Sequence, residues 1–192
     1  TGMAQLSEID DAVRTAREAG NNQVVLLKCT STYPATPENT NITTIPHLRD
    51  AFGCEVGLSD HTMGVGVAVA AVALGAVVIE KHFTTRRADG GVDSAFSMEP
   101  VEFSLLRMET ERAWQSLGHI TYGVSAAEHA SLQFRRSLYV VENLVPGDLL
   151  SPKNVRAIRP GYGLPPKHFD EVMGRQAGSA IPRGTPLAWG LL

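Results

Sequence analysis

An α/β fold is predicted, on three observations. Short apolar runs, Val24-Val25-Leu26-Leu27, Val56-Gly57-Leu58 and Val77-Val78-Ile79, recur through the first part of the chain. Segments with helical spacing separate them. Two polar clusters, Ser59-Asp60-His61 and Glu80-Lys81-His82, stand at the ends of successive runs, with their histidines 21 positions apart. Chemistry gathered at the carboxyl ends of parallel strands is the active-site arrangement of α/β enzymes, and of β/α barrels in particular.

Each element follows from its own pattern. Ser7 with Asp10 marks a helix start, Ile9, Ala12, Val13 and Ala16 give one apolar face, and Gly20 offers a stop. The run 24–27 has no polar alternation, as expected of a strand buried on both faces, and it leads into Lys28-Cys29-Thr30-Ser31. A proline-containing loop (33–37) precedes a short helix from about Pro46 to Phe52 and the strand Val56–Leu58. The Ala/Val segment from Val65 to Leu74 reads as a buried helix, followed by the strand Val77–Ile79. A polar loop, Thr84 to Met98, leads to a helix from Pro100 to Gly118 carrying Phe103, Leu106, Trp114 and Leu117. The order is α-β-α-β-α-β-α, with right-handed crossovers expected.

Three strands do not close a barrel, and a full (β/α)8 barrel takes roughly 250 residues. The expectation is therefore the C-terminal portion of a TIM barrel, its last three strands, in residues 1–120. The opening Thr-Gly-Met-Ala-Gln reads as a loop following an upstream strand, so a truncated polypeptide is expected. Residues 121–131 are small and polar and read as a linker. Residues 132–192 form a turn-rich, mostly β module, with β-like runs at 137–141 and 155–158. Pro146-Gly147-Asp148-Leu149-Leu150 and Arg183-Gly184-Thr185-Pro186-Leu187 echo each other faintly.

Composition excludes several function classes. Seventeen Lys+Arg against twenty Asp+Glu give a net charge of -3 with no basic block, which does not point to nucleic acid. No apolar run approaches the roughly 18 residues of a membrane span, and the N-terminus has no signal-peptide pattern. Cys29 and Cys54 follow no metal-ribbon spacing and fit a reduced, cytoplasmic setting.

Four stretches carry a family resemblance: Lys-Cys-Thr-Ser-Thr-Tyr-Pro (28–34), Gly-Leu-Ser-Asp-His-Thr (57–62), Ile-Glu-Lys-His-Phe-Thr (79–84) and Arg-Pro-Gly-Tyr-Gly (159–163). Together they resemble the sialic acid (nonulosonic acid) synthase family. Gly-Gly-Val-Asp-Ser-Ala-Phe-Ser-Met-Glu-Pro (90–100) is most like the pseudaminic acid synthase branch, and the last sixty or so residues resemble the family's antifreeze-like (SAF) domain. The resemblance implies a barrel followed by that β-clip domain, in a domain-swapped homodimer. It implies a carbon–carbon bond-forming transferase that condenses phosphoenolpyruvate with an N-acetylated amino sugar, here 2,4-diacetamido-2,4,6-trideoxy-L-altrose, and releases phosphate. N-acetylneuraminate and legionaminate synthases are the close alternatives. A fragment acting as a dimerisation or carbohydrate-binding module, and an ice-binding small domain, are the alternatives of another class. Strands that precede this chain in the family supply phosphate-gripping residues, which leaves the activity of this chain alone open.

The resemblance also implies roles for single residues. His61 and His82 match metal-binding histidines; the bland reading is two hydrogen-bonded strand-end histidines. Alternation puts Ser59 with His61 and Glu80 with His82 on one side of their strands. Two imidazoles with open positions for water and substrate suit Mn2+, with Mg2+ or Co2+ as substitutes. Glu80 is the candidate acid/base, and Asp60 is either catalytic or a loop brace. Ser59 matches a phosphate-contacting position but equally reads as a helix cap. Lys28 is a candidate anion-facing charge. Tyr33 and Asp93 match positions near the sugar, and Arg159 matches an arginine sent into the partner subunit's site. Phe134 and its neighbouring arginines are candidates for docking the small domain. A Schiff-base lysine, Lys28 or Lys81, would instead give aldolase chemistry. His47, His119, His129 and His168 are expected to be solvated.

Overall fold

The first helix shows how local chemistry sets the boundaries. In this computed structural model, which describes residues 1–192, α1 spans Leu6–Glu18. It starts one residue before the expected Ser7 because Gln5 and Glu8 form a reciprocal capping box, the Gln5 amide donating to Glu8 at 2.6 Å. Its apolar side buries Ile9 and Val13.

The chain divides into two compact units, Thr1–His119 and Ile120–Leu192. In the first unit, β1 (Val25–Cys29), β2 (Glu55–Asp60) and β3 (Ile79–Lys81) form a parallel sheet in the order β1-β2-β3. The crossovers carry α2 (Thr44–Phe52) and α3 (Gly66–Ala73), and α4 (Pro100–Leu117) follows β3. α2 ends where Gly53 adopts a left-handed φ of 57°, which glycine takes without a Cβ clash. The core gathers Ile45, Leu48, Val56 and Leu58, all nearly inaccessible to solvent.

β3 lies two residues further along than the apolar run Val77–Ile79 indicates. The Val77 amide already donates to the Val56 carbonyl and the Leu58 amide to the Val78 carbonyl, but the ladder proper pairs Leu58 with Ile79, Ser59 with Glu80 and Asp60 with Lys81. Val77 and Val78 are exposed. Gly57 sits where a Cβ would stand 2.5 Å from the Val78 carbonyl oxygen and 2.7 Å from a Leu27 methyl, so only glycine allows this strand approach.

In the second unit, β4 (Ser137–Val140) and β5 (Val155–Ile158) pair antiparallel over a core of Leu138, Val140, Leu150, Val155, Val172, Ile181 and Leu187. The stretch expected as a linker includes much of a 3-10 helix, Ala126–Phe134, capped by Ser125 with Glu128. The Leu132 carbonyl accepts a 2.9 Å bond from the Gly161 amide, so these residues belong to the second unit. The two echoing motifs fold alike. Asp148 donates back to the Val145 carbonyl and Thr185 to the Pro182 carbonyl, with Gly147 and Gly184 at φ of 91° and 90°. Leu144 and Ile181, just before the two turns, form an antiparallel bridge.

Candidate functional site

The carboxyl ends of β2 and β3 bring the two histidines together. Their ring centroids are 5.1 Å apart with planes at 73°. Ser59 and Glu80 lie one step earlier on the same side, and the Ser59 hydroxyl donates to Glu80 Oε1 at 2.7 Å. Alternation along each strand produces both contacts from one register.

The His61 ring is buried, and its Nδ1 lies 2.8 Å from the Thr30 carbonyl oxygen. A carbonyl only accepts, so Nδ1 carries the proton and Nε2 keeps its lone pair. This hydrogen bond to a backbone carbonyl is the usual support of a metal-ligating imidazole. His82 Nδ1 stands 3.7 Å from Asp93 Oδ2, beyond hydrogen-bond range. Nε2 of His61 and one His82 nitrogen are the atoms that could hold a divalent cation of the Mn2+ type. No third His, Cys, Asp or Glu is grouped with them as a metal ligand.

Two loops wall the pair. The Ala35 amide donates to the His61 carbonyl at 2.9 Å, which holds the preceding turn over β2 and places the Tyr33 ring 4.3 Å from the His61 ring. The Met98 amide donates to the His82 carbonyl and the Thr84 amide to the Met98 carbonyl, both at 2.9 Å. That closure brings Phe96 to 5.1 Å from the His82 ring and 6.0 Å from Tyr33. Asp93 takes a left-handed φ of 64°, a conformation aspartate tolerates better than most residues, and its carbonyl accepts from the Ser97 amide and hydroxyl. Phe96 was not among the expected site residues; its only signal was its place in the 90–100 motif.

Asp60 takes the bracing geometry of its two readings. Its side chain is inaccessible to solvent, Oδ1 accepts from the Thr62 amide and hydroxyl, and Oδ2 accepts from Lys81 Nζ at 2.8 Å. Lys81 gives its two other protons to the carbonyls of Thr62 and Gly64. With three donors all engaged, its nitrogen has no lone pair for an imine.

Ser59 does not cap the following helix, whose N-cap is Val65. Lys28 Nζ donates to the Cys29 carbonyl at 2.8 Å and to Thr30 Oγ1 at 3.1 Å. Partial burial pushes its ammonium below the usual lysine value, with Cys29 opposing that fall. Arg159 is exposed on the second unit, just after β5. His47, His119 and His129 are exposed as expected, whereas His168 is half-buried, 2.8 Å from Glu171 and stacked edge-on against Trp189. No helix is long and apolar enough to cross a membrane.

Comparison with known proteins joins this geometry to a family. The chain is 38% identical over 190 residues to a pseudaminic acid synthase from Campylobacter jejuni, covering 99% of this chain and 55% of that protein. It is 36% identical to an N,N'-diacetyllegionaminic acid synthase from the same organism, over 92% of this chain and 54% of the relative. A spore coat polysaccharide biosynthesis protein from Bacillus subtilis, solved by crystallography, superposes with a TM-score of 0.59 at 31% identity, covering 100% of this chain and 60% of that one. The chain thus spans about half the length of the curated relatives it matches. Residues 135–192 match the SAF domain. Residues 1–122, which hold the histidine pair and its walls, match the NeuB family, and the chain belongs to that family.

Proposed function

We propose that the protein carrying this chain is a pseudaminic acid synthase, condensing phosphoenolpyruvate with 2,4-diacetamido-2,4,6-trideoxy-L-altrose and releasing phosphate. The observation that carries the reading is the 5.1 Å approach of His61 and His82, with His61 Nε2 left free by the Thr30 carbonyl. The motif Gly-Gly-Val-Asp-Ser-Ala-Phe-Ser-Met-Glu-Pro (90–100) is the ground for preferring this sugar to the legionaminate and neuraminate precursors.

In the reaction, C3 of phosphoenolpyruvate bonds to the aldehyde carbon of the open-chain sugar, whose oxygen becomes a hydroxyl. Water adds at C2, and the resulting tetrahedral carbon expels phosphate with cleavage of its C–O bond. Held by His61 and His82, a divalent cation such as Mn2+ would supply Lewis acidity at the aldehyde oxygen. Glu80 takes the proton from the attacking water at Oε2, while Ser59 holds Oε1 in place. Tyr33 and Phe96 exclude water from one side of the sugar, and Asp93 accepts from its hydroxyl or amide groups. Lys28 supplies positive charge for the phosphate or carboxylate. Arg159 would reach the site of a partner subunit in a swapped homodimer. The two free thiols fit a cytoplasmic setting.

The test is phosphate release by the whole protein with phosphoenolpyruvate, Mn2+ and each of the three amino sugars in turn. The altrose derivative is expected to give the highest kcat/KM. A preference for another sugar reassigns the branch, and no turnover with any of them removes the synthase reading. Trapping of a Lys28 adduct by borohydride would replace it with aldolase chemistry.

A further inference from the structure

One ammonium ties together the two segments that carry the histidines. Asp60 immediately precedes His61, and Thr62 follows it; Lys81 immediately precedes His82. Lys81 Nζ donates to Asp60 Oδ2 at 2.8 Å, to the Thr62 carbonyl at 2.7 Å and to the Gly64 carbonyl at 2.9 Å. Both side chains of the pair are shut off from solvent, at 2% and 0% exposure. Asp60 in turn grips the Thr62 amide and hydroxyl. The backbone on either side of His61 is thus fastened to the residue that bears His82.

A buried ion pair is poor evidence of stabilisation, because desolvation offsets much of the attraction, and a well-packed neutral pair often serves the fold equally well. Its geometric effect is different. Three fixed donors on a nitrogen anchored in β3 leave the segment 60–64 little freedom to slide along or away from that strand. The separation of the two imidazoles is set at the same place.

We propose that Lys81 is a positioning residue for the histidine pair: through Asp60, Thr62 and Gly64 it holds the two rings at the spacing a single cation requires. The inference rests on the cation reading given above. It also gives Lys81 a role that is neither imine formation nor contact with substrate.

The experiment is Mn2+ binding to the whole protein, followed by electron paramagnetic resonance, with nitrogen couplings counting the bound imidazoles. The unmodified protein is expected to bind with two imidazole nitrogens. The double variant Asp60→Asn/Lys81→Met leaves no unpaired buried charge and keeps an acceptor for Thr62, so its melting temperature is expected to stay near that of the parent. Its Mn2+ affinity is expected to fall at least tenfold, with loss of one imidazole coupling. Should the double variant not fold, Lys81→Arg keeps the charge but changes its reach, and the same fall in affinity is expected. Unchanged affinity and two couplings in a folded variant overturn the positioning role while leaving the cation site standing. Absence of Mn2+ binding by the unmodified protein overturns the cation reading, and this inference with it.

Discussion

Ser59 and Glu80 are ladder partners on adjacent parallel strands, and the serine hydroxyl donates a 2.7 Å hydrogen bond to the glutamate. This bond occupies one carboxylate oxygen, Oε1, and not the other. Ser59→Ala should therefore lower kcat about tenfold, the scale of one hydrogen bond to a charged group. Glu80→Gln should lower it by about 100-fold or more, as expected for loss of a proton acceptor. Both are read by phosphate release, and both should leave Mn2+ affinity close to that of the parent.

The histidines should behave as a pair. His61→Ala or His82→Ala is expected to abolish Mn2+ binding and reduce turnover by about 1000-fold, since a Lewis acid supplies several kcal/mol to such a step. Chelation of the unmodified protein should give the same loss, and added Mn2+ should restore it. A variant that retains turnover after chelation would contradict the assignment.

Acid should loosen the start of α4. Glu102 is held below the ordinary carboxylate range chiefly by the Glu99 backbone amide, at 2.9 Å, and then by Arg87. Its contribution is complete above the ordinary value of 4.5 and is lost as pH falls through the lower folded value. Glu102→Ala should cost about 0.5 kcal/mol at neutral pH, the scale of a solvent-screened carboxylate in the first turn of a helix. The difference from the parent should vanish in acid, as urea titrations at several pH values would show.

Lys28 should give a slope of opposite origin. Burial disfavours its charged form, so the folded chain binds fewer protons than the unfolded chain between the depressed value and 10.5. Stability should rise with pH across that window. Lys28→Met should flatten that rise, measured by urea unfolding in alkaline buffers.

Much of the site was legible because strand alternation needs no knowledge of the rest of the fold. It put Ser59 with His61 and Glu80 with His82; the ladder pairs Ser59 with Glu80, and the two histidine rings meet just beyond it. The 21-residue spacing of the histidines is the register itself, since 59 pairs with 80 and 60 with 81. Extending that offset would have identified Lys81 as the partner of Asp60. The start of β3 was misplaced because an apolar run reports burial, whereas the ladder depends on which backbone groups meet. Phe96 reaches His82 only through the Met98 and Thr84 backbone bonds, a closure that loop composition does not encode.

The order β1-β2-β3 gives β1 and β3 one outer side each, and Val25 and Val77 stand open to water along them. Unpaired strand margins recruit any extended chain that can match them. An extended peptide matched to the outer side of β3 would therefore pair with it, and amide exchange along that strand would slow.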